Sequence, residues 1–112
     1  MSPKPLIDHR IYTIRLRKMP EFIDVFNRLA MPILLNTLGH PLGFYVSQVG
    51  PLNQFVHLWA YESLADYEQR SLARDRHPDF PAYLAASEHL IVAQETRLIR
   101  AIDMPALMGR AM

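Results

Sequence analysis

The stretch Gly50-Pro51-Leu52-Asn53-Gln54-Phe55-Val56-His57-Leu58-Trp59-Ala60-Tyr61-Glu62-Ser63 decides the fold. Its first four residues spell a tight reversal. Pro presets φ at a central turn position, and Gly and Asn tolerate conformations that other residues resist. Residues 55–62 then alternate as a strand, with Val56, Leu58 and Ala60 on one side and Phe55, His57, Trp59 and Tyr61 on the other. A sheet with one wet face alternates apolar with polar residues. Here both sides are apolar or aromatic, so both need cover. Helices supply one cover, and the simplest second cover is another copy of the chain.

Outward from this strand the elements follow in both directions. Residues 42–49 read as a strand, and the short turn after them implies an antiparallel hairpin. Upstream, Pro20 suits the first turn of a helix whose apolar stripe is Phe22, Phe26, Leu29 and Ile33, with a kink expected at Pro32 and a C-cap at Gly39. Residues 8–16 form the first strand, with Arg10, Tyr12, Ile14 and Leu16 on one parity. Downstream, Ser63 caps a helix, with Asp66 at capping-box spacing and an apolar side of Leu64, Tyr67 and Leu72. Asp79 is placed to cap a short helix that carries Phe80, Tyr83, Leu84 and Ser87 inward, and residues 90–102 make the last strand.

The order β-α-β-β-α-β predicts an α+β, ferredoxin-like fold: a four-stranded antiparallel sheet with helices on one face. Two such sheets packed face to face make a dimeric α+β barrel. Residues 1–7 form an extended lead-in, 8–102 the domain, and 103–112 a Met-rich C-terminal tail.

The 112 residues are enough for one domain with one core, since a chain of this size buries roughly two-thirds of its unfolded surface. Half the residues are hydrophobic and 21% are charged, which argues against disorder. A formal net charge of +1 gives no field to steer the chain to nucleic acid or to an anionic membrane. The absence of cysteine excludes disulfides, thiolate metal sites and a cysteine nucleophile. Met1-Ser2-Pro3-Lys4-Pro5 shows neither a signal core nor an Arg-rich presequence, and no apolar run approaches membrane-spanning length, so the expectation is a cytoplasmic protein.

The chain resembles bacterial members of the NIPSNAP family over residues 8–102. The resemblance rests on Arg10-x-Tyr12, Leu42-Gly43-Phe44, Gly50-Pro51-Leu52-Asn53, and His57-Leu58-Trp59-x-Tyr61 followed by Ser63-Leu64. It implies a ferredoxin-like, dimeric α+β barrel related in shape to small antibiotic-biosynthesis monooxygenases. The family's biochemical activity is poorly defined, so little mechanism transfers. Its mitochondrial members carry targeting sequences and act through protein contacts; no such targeting sequence is read here.

No motif for a nucleophile elbow, a phosphate loop, a dinucleotide fingerprint or a zinc-protease helix is present. His57 and Tyr12 are the candidate catalytic pair. His57 either exchanges a proton with a bound molecule, or orients a carbonyl, or is a strand histidine satisfied by a neighbour and packed beside Trp59. If the strand register brings Tyr12 beside His57, then Arg10 joins them as a guanidinium able to hold a small acid. Tyr45, Trp59 and Tyr61 either line an aromatic pocket or belong to core or interface. Glu95 is either a general base or the ion-pair partner of Arg97 or Arg10.

The five histidines form no i, i+4 pair and no cluster with carboxylates, so neither a metal site nor a cofactor is assigned, although one axial histidine would suffice for haem. Arg70, Arg74 and Arg76 read as a solvated helix face. The functional expectation is a homodimer that binds a small hydrophobic or aromatic molecule beside the sheet, with or without cofactor-independent monooxygenase-like or isomerase-like chemistry. The alternative is a non-catalytic interaction module.

Overall fold

A computed structural model describes residues 4–107; the start of the lead-in, including Pro3, and residues 108–112 of the tail lie outside the described residues. Strand β1 (Leu6–Ile14) leads into helix α1 (Met19–Val25), a π-helical turn (Phe26–Ala30) and helix α2 (Met31–Thr37). Strands β2 (Gly43–Val46) and β3 (Gln54–Tyr61) form the hairpin. Helices α3 (Leu64–Asp75) and α4 (Phe80–Ser87) follow, then a single 3-10 turn and strand β4 (Ile91–Arg100). The sheet order is β2-β3-β1-β4, with every neighbouring pair antiparallel.

The hairpin turn explains why the β3 register is fixed. Gly50 and Asn53 both hold positive φ, +93° and +63°, as the turn chemistry requires. The Asn53 carbonyl then accepts the Ile14 N–H at 2.7 Å, locking the end of β1 onto the turn. From there Tyr12 pairs with Phe55, Arg10 with His57 and Asp8 with Trp59. These residues all point to the helix-covered face, where Phe55, His57, Trp59 and Tyr61 are buried. Val56, Leu58 and Ala60 share the opposite face with Ile7, His9 and Ile11, which the helices leave uncovered.

The core is largely aromatic. Phe22, Phe26, Tyr12 and Phe55 meet at centroid separations of 5.0–6.3 Å, mostly tilted or edge-on, geometries that aromatic quadrupoles favour. The kink expected at Pro32 takes the form of the π turn just before it. The Met31 N–H bonds the Phe26 carbonyl, and α2 restarts with Pro32 in its first turn, where a missing N–H costs nothing.

The Ser63 cap forms, with the Asp66 N–H donating to its Oγ at 3.1 Å and the Glu62 N–H donating to the Asp66 carboxylate at 2.9 Å. Two expectations are corrected. Asp79 occupies the N-cap position of α4, but its side chain accepts no helix N–H; its backbone N–H donates to His77 Nδ1. The apolar side expected for α3 is not buried, because Leu64 and Leu72 are exposed and only Tyr67 tucks in, edge-on to Tyr61. No helix among the described residues is long and apolar enough to cross a membrane.

Candidate functional site

The β1–β3 register does what the sequence left open. Arg10 stands directly across from His57, and the Tyr12 ring lies 4.8 Å from the imidazole in edge-on contact. The three side chains line a cavity of about 170 Å³ between the sheet and the helices. Its apolar wall is Phe26, Ala30, Leu34, Leu38 and Leu84, with Phe26 and Ala30 presented by the π turn. Such turns recur at functional sites because they re-aim side chains that a regular helix would stack elsewhere. The polar wall adds Arg74, Tyr83 and Gln94 to Arg10, Tyr12 and His57. Leu84, 46% exposed, sits at the mouth.

His57 is 2% exposed, and its two ring nitrogens have different environments. The Trp59 indole N–H donates to Nδ1 at 2.8 Å. In a neutral imidazole the proton then belongs on Nε2, and that nitrogen has no partner among the described residues. Burial, reinforced by the positive charges of Arg10 and Arg74, pushes the His57 pKa down to about 3. The ring is therefore neutral at physiological pH and a poor proton acceptor. It lines the cavity and carries a buried N–H unpaired among the described residues.

The other groups also present donors. Arg10 donates through Nε to Asp8, which is fully buried, at 2.9 Å. Burial opposes the Arg10 charge, but Tyr12 and Asp8 outweigh it and hold the guanidinium more firmly protonated than usual. Arg74 donates through Nε to Asp75 at 3.0 Å and lies over the Phe80 ring at 5.7 Å, which leaves its side chain 16% exposed. Burial, with the nearby Tyr12, pushes the Tyr83 hydroxyl up, so it stays protonated.

The remaining candidates separate. Trp59 and Tyr61 are buried in the core beneath the helices; Trp59 reaches the site only through His57, and the Tyr61 hydroxyl has no partner among the described residues. Tyr45 pairs with Val56 and so faces the uncovered side, 53% exposed. It cannot share a pocket with Trp59. Glu95, opposite Ile11, lies on that same uncovered side. It makes no ion pair among the described residues: Arg97 donates to His9 and Arg10 to Asp8. The pairing expected for Glu95 is thereby corrected, as is the solvated reading of Arg74.

Phe26, Arg74, Tyr83 and Gln94 join the site without having been singled out for it. The parity of Asp8-x-Arg10-x-Tyr12 was the available signal for a buried ion pair beside a phenol. Nothing comparable marked Gln94. Among the described residues no three His, Asp or Glu side chains are grouped closely enough to hold a metal ion.

The NIPSNAP family model matches residues 7–105. Among solved structures, the chain is similar to a NIPSNAP family protein from Agrobacterium tumefaciens str. C58, at 29% identity and a TM-score of 0.87, covering 96% of this chain and 94% of that one. An uncharacterized NIPSNAP-like domain protein from Burkholderia xenovorans matches at 29% identity and a TM-score of 0.84, covering 90% and 88%. A protein from Nitrosomonas europaea, provisionally described as an antibiotic biosynthesis monooxygenase, shares the fold at 11% identity and a TM-score of 0.63, covering 88% and 99%. The curated proteins contain no match. With the matched residues spanning nearly all of the described fold, the chain belongs to the NIPSNAP family.

Proposed function

We propose that the protein is a homodimer that binds a small, partly hydrophobic molecule in the cavity bounded by Tyr12, His57 and the π turn. One observation carries this reading: His57, a buried imidazole whose Nε2–H has no partner among the described residues, lines a partly enclosed cavity with an apolar wall. A buried donor left unmade costs about 1–3 kcal/mol, a cost that a bound acceptor removes. At about 170 Å³ the space matches a single ring, since a cavity of roughly 150 Å³ takes up benzene.

Any chemistry at this site runs through donation. The neutral His57 N–H, the Tyr12 hydroxyl and two guanidiniums are suited to hold and polarise the carbonyl of a bound molecule without a cofactor. The dimer forms through the uncovered sheet face, on the opposite side from the cavity. Binding and assembly are therefore separable in this molecule.

Native mass spectrometry on protein taken gently from its host tests the reading. The expected species is a dimer carrying a small-molecule mass, and Leu84→Trp, which plugs the mouth from an exposed position, sheds that mass and leaves the dimer intact. A bare wild-type dimer would instead favour a non-catalytic assembly role.

A further inference from the structure

Resting on the reading that the cavity binds a small molecule, we infer that its ligand is an organic carboxylate of single-ring size, gripped by Arg10, Arg74 and the His57 Nε2–H with its hydrocarbon body against the π turn. The cavity's polar wall is built almost wholly of donors. Arg10 and Arg74 each use Nε on a carboxylate of their own, Asp8 and Asp75; Arg10 is also hydrogen-bonded to Tyr12, while the Arg74 terminal nitrogens make no hydrogen bond among the described residues. The planar guanidinium fork matches the two oxygens of a carboxylate, and a bidentate charged pair is stronger than a neutral hydrogen bond. Asp8 sits fully buried behind Arg10 rather than on the cavity wall. Asp75 is the one acid on the wall, and its side chain is 51% exposed and engaged with Arg74. The low proton affinity of His57, caused partly by these two arginines, reports the same positive potential at the ring. A cation would meet that potential and find as acceptors only the Gln94 amide oxygen, the tyrosine hydroxyls and an Asp75 already paired with Arg74; a neutral hydrocarbon would leave the donors unmade.

The matched pair benzoate and benzamide tests this, because the two differ in charge and hardly in size. Titration calorimetry on the full-length protein should show benzoate binding roughly tenfold or more tighter than benzamide, the difference expected of charge-assisted over neutral hydrogen bonds. Arg74→Gln gives up the stack on Phe80 and an ion pair with the half-exposed Asp75, so it should stay folded with a modestly lowered thermal melt while erasing most of that preference, and Arg74→Lys should restore part of it. Benzoate and benzamide binding equally, with both blocked by Leu84→Trp, would overturn the carboxylate assignment and leave the cavity reading standing. Neither compound binding would overturn both. A preference for benzoate that survives Arg74→Gln would remove Arg74 from the grip and with it the assignment made here.

Discussion

Trp59 donates its indole N–H to Nδ1 of His57, two residues away on the same buried face of β3, and this bond fixes which imidazole nitrogen carries the proton. The first expectation follows directly. Heteronuclear NMR of the imidazole nitrogens should find the Nε2–H tautomer, with Nδ1 shifted as an unprotonated acceptor. Trp59→Phe should then cost about 2–4 kcal/mol in urea denaturation, combining lost packing with an unpaired Nδ1. Finding the proton on Nδ1 would remove the basis for treating His57 as a donor to the cavity.

The depressed His57 pKa predicts a definite pH dependence. Between the ordinary value of 6.5 and about 3, the unfolded chain takes up a proton that the folded chain refuses. Protons in that window favour unfolding, so this contribution to stability is complete above pH 6.5 and declines as the pH falls, at up to about 1.4 kcal/mol per unit. Burial is the main cause, with Arg10 and Arg74 adding to it. His57→Gln keeps polar capacity without a titrating proton, and should flatten the curve of melting temperature against pH below 6.5. Parallel curves for the two proteins would mean that His57 takes up its proton in the folded state.

The buried Asp8–Arg10 pair should show the asymmetry of ion pairs removed from water. Asp8→Ala leaves the Arg10 charge without its partner and should cost roughly 3–5 kcal/mol. The double variant Asp8→Leu with Arg10→Met removes both charges and should recover much of that stability. It should not recover preferential benzoate binding, because the guanidinium is gone. Chemical denaturation of the two variants, each paired with the benzoate titration, separates the stability of the pair from its use.

Much of the fold was legible because β3 carries its instructions locally. The Gly-Pro-Leu-Asn turn fixes where the strand starts, and the Phe55-His57-Trp59-Tyr61 parity states which residues go together. The site was less legible because it depends on register and on helix rotation. Arg10 meets His57 only because the Asn53 carbonyl locks Ile14 to the turn, a backbone bond with no sequence signature. Arg74 looked like one of three solvated arginines; what pulls it inward is Phe80 at the start of the next helix. Tyr45 and Glu95 were grouped with the site by residue type, whereas strand parity sends both to the other face.

That other face supports the last prediction. Ile7, Ile11, Val56, Leu58, Ala60 and Ile99 lie together on it with no helix above them. Glu95 and Arg97 stand along β4 on the same side with opposite charges, so the face is suited to pair with its own copy. A charge placed at the centre of such a patch is stripped of water without a partner, at a cost of several kcal/mol in each copy. Ile11→Lys should therefore convert the proposed dimer to a monomer in analytical ultracentrifugation. Leu84→Trp, at the cavity mouth, should leave the dimer as it is. Because the substitution points away from the helix-covered core, near-ultraviolet circular dichroism of the Ile11→Lys monomer should retain the buried aromatic signature. A variant that stays dimeric with lysine at position 11 would exclude this face as the interface, and would leave the two-sided apolar pattern of β3 to be explained by a different partner.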